Sequence, residues 1–557
     1  MGQAQILTSF VDIEDLFRST DCESCYVTVA VGDHNETWSV RSKGFKRWLV
    51  SKFYLIEGKP PGAQALADAL GAIEARAQFN GNVHDVHVRV AGDDRVIYLD
   101  LVSEQWEAVE VTASGWRIIN DPTIKFRRAR AMQSLPRPIG GRSLHELRRF
   151  VNVRDDTQWS LLVAWLVASL RGRGPYPVLG LGGQHGSAKS TTAEMLRSLI
   201  DPNTAMLRAE PRDPRDVAIA ANNGWVVALD NLSALQPWLS DCLCRLATGG
   251  GFATRELYTD SDEAIFCAQR PVIVNGIEEV ITRPDLLDRA ILLDLPPIEE
   301  DQRRPASALW SAFEAARPHL LGALLDAVSI ALRGEKGIKL ARLPRMADFA
   351  VWVTAAAPAL GWDDTHFLNA YAGNREQAHE IALDASPIGA AVRAIAEEGD
   401  WTGTAAELLA RINDTMDETT KRAKSWPATA GKLGADLRRV APNLRAVGVK
   451  VEFSDRRELG PRRRQIIITR FTPSSPDPNT EPKETADQRS DRSDRSDAGF
   501  QDALAFPGNG RPFRGNDEQA SGNDAGNAEN PPRNNGDGGN DVAPVLSNAL
   551  ATDEQEV

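Results

Sequence analysis

The sequence has few cysteines and no long apolar run, and both absences restrict the class of protein. Five cysteines are scattered along 557 residues, which is typical of a reducing compartment, so we expect a cytoplasmic location. The longest uninterrupted apolar stretch, Leu161–Ala168, is far shorter than the roughly 20 residues that span a bilayer. Gln3, Ser9 and Asp12 interrupt the N-terminus before an apolar leader could form. We therefore expect neither membrane insertion nor secretion.

Tryptophan and tyrosine are missing where acidic residues are concentrated. Pro473–Val557 contains no tryptophan or tyrosine and carries 17 acidic and 7 basic residues. Such a segment cannot bury enough apolar surface to offset its ordering entropy, so it is predicted to be a disordered acidic tail. Directly before it, Lys421–Arg470 has 14 basic and 4 acidic residues. A basic segment of this density is typical of a protein that binds polyanions.

The chain is too long for one hydrophobic core, and shifts in pattern divide it into predicted domains. Residues 1–135 alternate strand and helix signals and predict an α+β domain, whose role the sequence does not reveal. The other predicted segments are an α/β core at 145–300, a helical lid or connector at 301–380, a basic domain at 385–472 and the tail at 473–557.

A glycine-rich loop between an apolar strand and a helical run carries the clearest chemical signal. Gly183 to Ser190 matches the phosphate-binding loop G-x-x-x-x-G-K-[ST], except that Ala188 replaces the second glycine. Loop N–H groups at a helix N-terminus favour an anion, Lys189 can reach the β and γ phosphates, and Ser190 can coordinate Mg²⁺. The alternative is an incidental loop. The residues expected to bind ATP are Gly183, Gly186, Ser187, Ala188, Lys189, Ser190 and Thr191.

A second buried strand, Trp225–Asp230, ends in an acid about 40 residues after Lys189. This pattern indicates a Walker B strand whose carboxylate, Asp230, holds Mg²⁺ together with Ser190. The alternative is an ordinary core strand. Asn231 follows where a water-activating glutamate is common, and an amide can only orient water. A base would then come from elsewhere, with Glu210 at the end of a predicted strand, Ala205–Ala209, as one candidate.

These motifs together with the next apolar strand, Pro271–Asn275, resemble AAA+ ATPases. The resemblance implies that Asn275 senses the γ phosphate and that Arg283 or Arg289 acts as an arginine finger across a subunit boundary. It therefore implies a homo-oligomeric ring, for which a hexamer is one candidate.

A predicted hairpin precedes the Asn275 strand, with strands at Phe252–Leu257 and Ala264–Ala268. It resembles the channel hairpin of superfamily 3 helicases, minichromosome-maintenance helicases and phage or plasmid primase-helicases. Arg255, the only basic residue in this hairpin, is the position implied to touch DNA.

The basic domain is predicted to form two helices, Ala405–Asn413 and Thr429–Val440, and then two strands joined by an arginine-rich loop. This order resembles the winged-helix modules of phage-type primase-helicases. The candidate DNA-binding residues here are Lys432, Arg438, Arg439, Arg462, Arg463 and Arg464. The alternative is a solvated basic surface.

Taken together, the motifs predict an ATP-dependent DNA motor, a helicase-like replication ATPase of phage or mobile-element type that uses ATP and Mg²⁺. Two alternatives remain at this point. One is a nucleotide-dependent DNA-binding switch or loader, which Asn231 favours. The other is a P-loop scaffold that does not act on DNA.

Overall fold

The computed structural model places most of the first 471 residues. It describes residues 1–20, 24–250, 252–255, 263–266, 268–276, 280–363, 365–422, 426–454 and 465–471, with the backbone alone at 252–255 and 263–266. All of them belong to one compact unit, Met1–Thr480. The predicted acidic tail and Arg462–Arg464 lie outside the described residues.

The N-terminal part is a four-stranded sheet covered by helices. Its elements are α1 (Gln3–Thr8), β1 (Leu16–Ser19), β2 (Cys25–Val31), β3 (His34–Ser39), α2 (Lys43–Glu57), α3 (Ala63–Asn80) and β4 (Asn82–His84). The strand order is β3-β2-β1-β4, and only β1 and β4 run parallel. Phe45, Leu49 and Phe53 of α2 are fully buried in a core that belongs to this part alone. Helices and strands both occur here, as predicted for residues 1–135, but this core ends before the strands that follow.

A second sheet follows and packs on the centre of the chain. Its strands are β6 (Val90–Gly92), β7 (Val96–Asp100), β8 (Ala108–Thr112) and β9 (Gly115–Ile119), while β5 (Val86–His87) and β10 (Lys125–Phe126) form a separate parallel pair. Strands β6 to β9 form an antiparallel meander. Side chains such as Leu99 and Val109 share one hydrophobic core with residues of the 145–375 region. The two segments therefore bury their apolar faces against each other.

The centre of the chain is a parallel sheet flanked by helices. Its elements are α4 (Asp156–Ser169), β11 (Val178–Gly182), α5 (Lys189–Ile200), α6 (Pro214–Asn223), β12 (Val227–Leu232), α7 (Pro237–Thr248), β13 (Phe252–Arg255), β14 (Glu263–Phe266), β15 (Val272–Gly276), α8 (Pro284–Leu287) and β16 (Ala290–Asp294). The sheet order is β12-β15-β11-β16 with parallel pairing throughout. The carboxyl ends of these strands meet at one edge, where ligands of open α/β sheets bind.

Two details of the sequence prediction change in this region. The predicted strand over residues 205–209 is wrong, because only Arg208 pairs there, through one parallel bridge to Leu229. The predicted hairpin is confirmed as an antiparallel pair, with Arg255 opposite Glu263. Its turn lies outside the described residues.

Three helices, α9 (Ala306–Gly334), α10 (Ala347–Leu360) and α11 (His366–Asp384), follow the central sheet. In the described residues α9 is the one helix with the length and hydropathy of a membrane span, but 67% of its most apolar window is buried inside the protein. It packs against the second sheet, where Trp116 Nε1 donates to Asp326 Oδ1 at 2.8 Å and Ser329 Oγ donates to Thr112 O at 2.7 Å. This burial is typical of a core helix.

The C-terminal part has its own core and a three-stranded sheet. Its elements are α12 (Pro387–Glu398), β17 (Trp401–Thr404), α13 (Ala405–Thr415), α14 (Glu418–Arg422), α15 (Ala430–Ala446), β18 (Val449–Ser454) and β19 (Gln465–Arg470). The sheet order is β17-β19-β18, all antiparallel. Thr404 and Glu407 form a capping box at the start of α13. The two predicted helices correspond to α13 and α15 and the two predicted strands to β18 and β19, whereas α14 and β17 were not predicted.

Candidate functional site

The glycine-rich loop joins β11 to α5 at the carboxyl edge of the parallel sheet. β11 is buried because it is apolar and lies between two other strands. Gly183 has φ +134°, and a Cβ there would lie 2.4 Å from Leu295 O, so only glycine fits. Gly186 also has a positive φ, +79°. The loop backbone therefore depends on glycine at two of the predicted positions.

Ala188 occupies the position that a phosphate-binding loop usually gives to glycine. Its φ of +62° and ψ of 31° place it in the left-handed region, directly before α5. An alanine there is strained by about 1–2 kcal/mol relative to its ordinary conformation. The chain thus keeps the backbone that a glycine would adopt despite the added methyl group.

Lys189, the first residue of α5, folds back over the loop. Its Nζ donates to Gly183 O at 2.7 Å and to Gln184 O at 2.9 Å. Burial lowers the pKa of this ammonium group, and the carboxylate of Asp230 acts in the opposite direction. The two hydrogen bonds hold the Lys189 ammonium group against the loop backbone.

The two predicted metal ligands lie together. Ser190 Oγ donates to Asp230 Oδ1 at 2.8 Å, bringing the start of α5 next to β12. A hydroxyl and a carboxylate are the oxygen ligands that Mg²⁺ prefers. No group of three or more His, Cys, Asp or Glu side chains that could hold a metal occurs among the described residues. The pair therefore fits a Mg²⁺ ion that is held mainly by phosphate and water.

Asn231 and Asn275 meet across neighbouring strands. The backbone N–H of Asn231 donates to Asn275 Oδ1 at 2.7 Å, and Asn231 has a φ of +54°. Asn275 is 2% exposed, and its Nδ2 has no hydrogen-bond partner in the described part of the chain. Both asparagines line a cavity of about 420 Å³. Its lining residues are His185, Gly186, Ser187, Ala188, Lys189, Ser190, Thr191, Asp230, Asn231, Asn275 and Gly276. Every predicted nucleotide-binding residue except Gly183 lines it.

The two candidate arginine fingers do not line this cavity. Arg283 Nη2 pairs with Asp241 at 2.9 Å, and its Nη1 donates to Pro237 O at 2.8 Å. Arg289 Nη1 donates to Asp285 O, while its Nε is buried without a partner among the described residues. Both arginines lie at the ends of the short helix α8, away from the loop of their own chain.

The predicted DNA-binding cations of the C-terminal part lie on α15. Lys432, Arg438 and Arg439 are all exposed. The Arg438 guanidinium lies 4.6 Å from the Phe453 ring centroid, and Arg439 pairs with Asp436 at 3.4 Å. The structure thus brings these three cations to the surface of one helix.

Several residues near the loop escaped the sequence analysis. Asn152 Nδ2 donates to Ser187 O at 3.0 Å and to Pro296 O at 2.6 Å, which ties two distant segments to the loop. Glu194 lies one turn after Ser190, and burial together with the charge of Asp230 raises the pKa of its carboxyl. No local pattern marks Asn152, since both of its contacts are far away in sequence.

A second cavity adjoins the same loop. It has a volume of about 680 Å³ and includes Ala188 and Thr191 from the loop and the start of α5. Its other walls come from residues 149–152 and 298–310, with Phe150, Leu309 and Trp310 as apolar members. The loop therefore separates a polar cavity from a larger, partly apolar one.

The candidate base Glu210 is exposed and does not line either cavity. The predicted strand that would have directed it toward the site does not form.

Comparison with known proteins assigns a family type to two regions of the chain. Residues 144–375 match the family model of the actinomycete integrative conjugative element replication protein, RepA. Residues 388–485 match the model of the C-terminal domain of the same replication protein. No curated protein matches this chain.

Solved structures of the NrS-1 C-terminal region are also similar to this chain. The A-form apo structure shares 11% sequence identity, covers 83% of this chain and 97% of its own, and has a TM-score of 0.36. A further apo structure of that region gives the same identity, coverage and TM-score.

Proposed function

We propose, from the premise that this chain is a replication protein of the kind found in integrative conjugative elements, that it is a Mg²⁺-dependent ATPase and a helicase-like DNA motor. The single observation that carries the proposal is the contact between Ser190 and Asp230 beside the loop of Lys189. Two segments that lie 40 residues apart, one with Lys189 and Ser190 and the other with Asp230, converge there in the arrangement that ATP and Mg²⁺ need. An incidental glycine-rich loop has no reason to lie beside the acidic end of another strand.

Each residue of the polar cavity has a distinct task in this proposal. Lys189 exchanges its two loop carbonyl partners for phosphate oxygens, because its ammonium is a mobile point charge on a flexible side chain. Ser190 and Asp230 hold Mg²⁺, which neutralises charge on the transferred phosphoryl group. The free Nδ2 of Asn275 is a buried donor, so it can bind an oxygen of the terminal phosphate.

The larger cavity beside Ala188 and Thr191 suits the base of the nucleotide. Phe150, Leu309 and Trp310 supply apolar wall, and the loop lies between this cavity and the polar one. A nucleotide that spans the loop would place its phosphates and its base in chemically matching surroundings.

Position 231 has an asparagine instead of a carboxylate that could activate the attacking water. Asn231 can orient water but cannot accept its proton. Its left-handed backbone also favours asparagine, since Asn tolerates this region better than Glu. We propose that hydrolysis relies on positioning and on charge stabilisation.

The arginines of α8 are proposed to act in a ring. Arg289 has a buried Nε without a partner in the described residues, and Arg283 is held by Asp241. Neither lines the polar cavity of its own chain. A neighbouring subunit would have to bring one of them to the phosphates, which supports a homo-oligomer.

DNA contact is proposed for two elements. The C-terminal part has the element order of a winged helix, with Lys432, Arg438 and Arg439 exposed on α15. The hairpin of β13 and β14 brings Arg255 into a regular antiparallel pair. Long cationic side chains on such elements bind phosphates without reading sequence.

The test is phosphate release by the purified full chain with Mg²⁺, measured without DNA, with single-stranded DNA and with duplex DNA. We expect turnover that DNA stimulates, and Lys189→Ala should reduce it to background while circular dichroism stays unchanged. Lys339→Ala, which removes the same group from an exposed position elsewhere, is the matched control. Equal turnover in Lys189→Ala and the control would refute the site.

A switch or loader that binds ATP without unwinding DNA is the second candidate, and Asn231 is the observation that favours it. It predicts nucleotide-dependent DNA affinity without strand separation. An unwinding assay on a forked duplex, run beside the ATPase measurement, distinguishes the two functions. The absence of any salt-sensitive DNA affinity would instead favour a scaffold that does not act on DNA.

A further inference from the structure

The N-terminal part presents one helix face that nothing in the ATPase proposal uses. α2 is anchored by Phe45, Leu49 and Phe53, which are fully buried at a spacing of four residues. The opposite face is exposed, and a surface groove of about 520 Å³ follows it. The groove is lined by Lys43, Lys46, Arg47, Val50, Ser51 and Tyr54. We call these six residues the α2 face.

The charge on this part of the chain is mainly positive. Lys43–Lys59 contains five basic residues and one acidic residue, Glu57. Lys43, Lys46 and Arg47 take part in none of the ion pairs found among the described residues, whereas nearby Arg41 is paired with Glu74. Solvated helix faces usually intersperse charges of both signs. Three unpaired cations within two helical turns therefore call for an anionic partner.

Aromatic and apolar side chains accompany these cations. Tyr54 is 55% exposed at one end of the groove, and Leu55 and Ile56 beside it are 77% and 64% exposed. Trp48 is half-buried, with Lys52 Nζ 5.6 Å from its ring centroid. Apolar exposure next to unpaired cations is typical of a binding surface rather than of ordinary solvated surface.

We propose that the α2 face binds single-stranded DNA. Lys43, Lys46 and Arg47 would contact backbone phosphates, and Tyr54 would stack on a base. Cationic grooves with aromatic side chains bind single strands in this way, because every base has a π face to stack on. The site is separate from α15 and from the β13–β14 hairpin, and it does not depend on ATP hydrolysis.

The test compares two triple charge reversals in the full chain without nucleotide. Lys43→Glu, Lys46→Glu and Arg47→Glu together remove the cations of the α2 face. Lys336→Glu, Lys339→Glu and Arg342→Glu change the net charge equally at other exposed positions. Affinity for a fluorescent single-stranded oligonucleotide is measured by anisotropy across a salt series, and a melting curve of each variant checks folding.

We expect the first variant to bind at least about tenfold more weakly and to flatten the slope of log affinity against log salt by up to about 2, since each single-strand phosphate contact contributes about 0.7. Tyr54→Ala should weaken binding several-fold without changing that slope. Basal ATP turnover without DNA should be unchanged in both. A neutral version, Lys43→Gln with Lys46→Gln and Arg47→Gln, should show the same loss if reversal disturbs folding.

Three outcomes would overturn the proposal. Equal losses in the two triple reversals would make the effect one of net charge. A loss for duplex DNA but not for single strands, or a Tyr54→Ala variant that binds normally, would rule out the stacked single strand. A loss of binding to vesicles of anionic lipid with DNA affinity intact would assign the α2 face to a membrane surface.

Discussion

Replacing Ala188 by glycine is expected to stabilise the protein, although the same exchange within a helix normally destabilises it. Ala188 has φ +62°, where an L-residue with a Cβ is strained by about 1–2 kcal/mol and glycine is not. Glycine also gives the unfolded chain more conformational freedom, which lowers the free energy of unfolding by about 0.4–1 kcal/mol. The net expectation is a gain of roughly 0.5–1 kcal/mol in the free energy of unfolding.

Thermal and urea denaturation of the full chain without nucleotide would measure this gain. A gain of this size corresponds to a rise in Tm of about 2 °C for a cooperative unit of 150–250 residues. Ala188→Val should lower the Tm, because a β-branched side chain is an outlier in the left-handed region.

The matched control is Ala315→Gly at an exposed position of α9. It should cost about 1 kcal/mol, the usual price of glycine in a helix interior. If Ala188→Gly destabilises the protein as much as this control does, residue 188 is not in the left-handed conformation and the structural reading of the loop is wrong.

Three further predictions follow from the same site. Asn231→Gly should keep the stability of the protein, whereas Asn231→Glu should lose about 1 kcal/mol in denaturation experiments because residue 231 has φ +54°; equal stability of both variants would contradict the assigned backbone. Glu194→Gln should melt at a higher temperature than the natural chain at pH 8, and the difference should shrink as the pH falls. Burial raises the pKa of Glu194, so its ionised form, which is present at higher pH, disfavours folding. A difference that grows toward acid pH would refute this. Mixing Lys189→Ala with Arg289→Ala subunits should restore part of the ATP turnover that each lacks, and no recovery after proven subunit exchange would argue against a site shared between subunits.

Much of the polar cavity could be predicted from the sequence because its residues belong to local patterns. Lys189 and Ser190 follow a glycine-rich loop, and Asp230 and Asn275 each follow an apolar strand. Parallel strands bring such ends to one edge of a sheet, so the contact between Ser190 and Asp230 follows from the fold class.

The residues that escaped prediction act through contacts distant in sequence. Asn152 reaches Ser187 and Pro296, and no spacing rule connects these three positions. The prediction of a strand at 205–209 was wrong for a different reason. The backbone there pairs with β12 at Arg208 alone, so no continuous strand forms. The exposed cationic face of α2 could be identified only from the structure, because the burial of Phe45, Leu49 and Phe53 defines which face is exposed.

The buried pair between Arg89 and Asp201 limits how this gene can be recombined. Both side chains are 0% exposed, Arg89 Nε lies 3.0 Å from Asp201 Oδ1, and Asp201 Oδ2 accepts from the N–H groups of Trp225 and Val226 at the start of β12. A fragment that begins at residue 144, where the family match begins, would lack Arg89, and the cation left beside this carboxylate would be Arg197, whose Nη2 is 3.8 Å from Asp201 Oδ2. It would also expose the apolar side chains of the 145–375 region that are buried against the β6–β9 meander. Exchange of residues 144–375 between mobile elements should therefore succeed only when residues 86–135 are inherited with them.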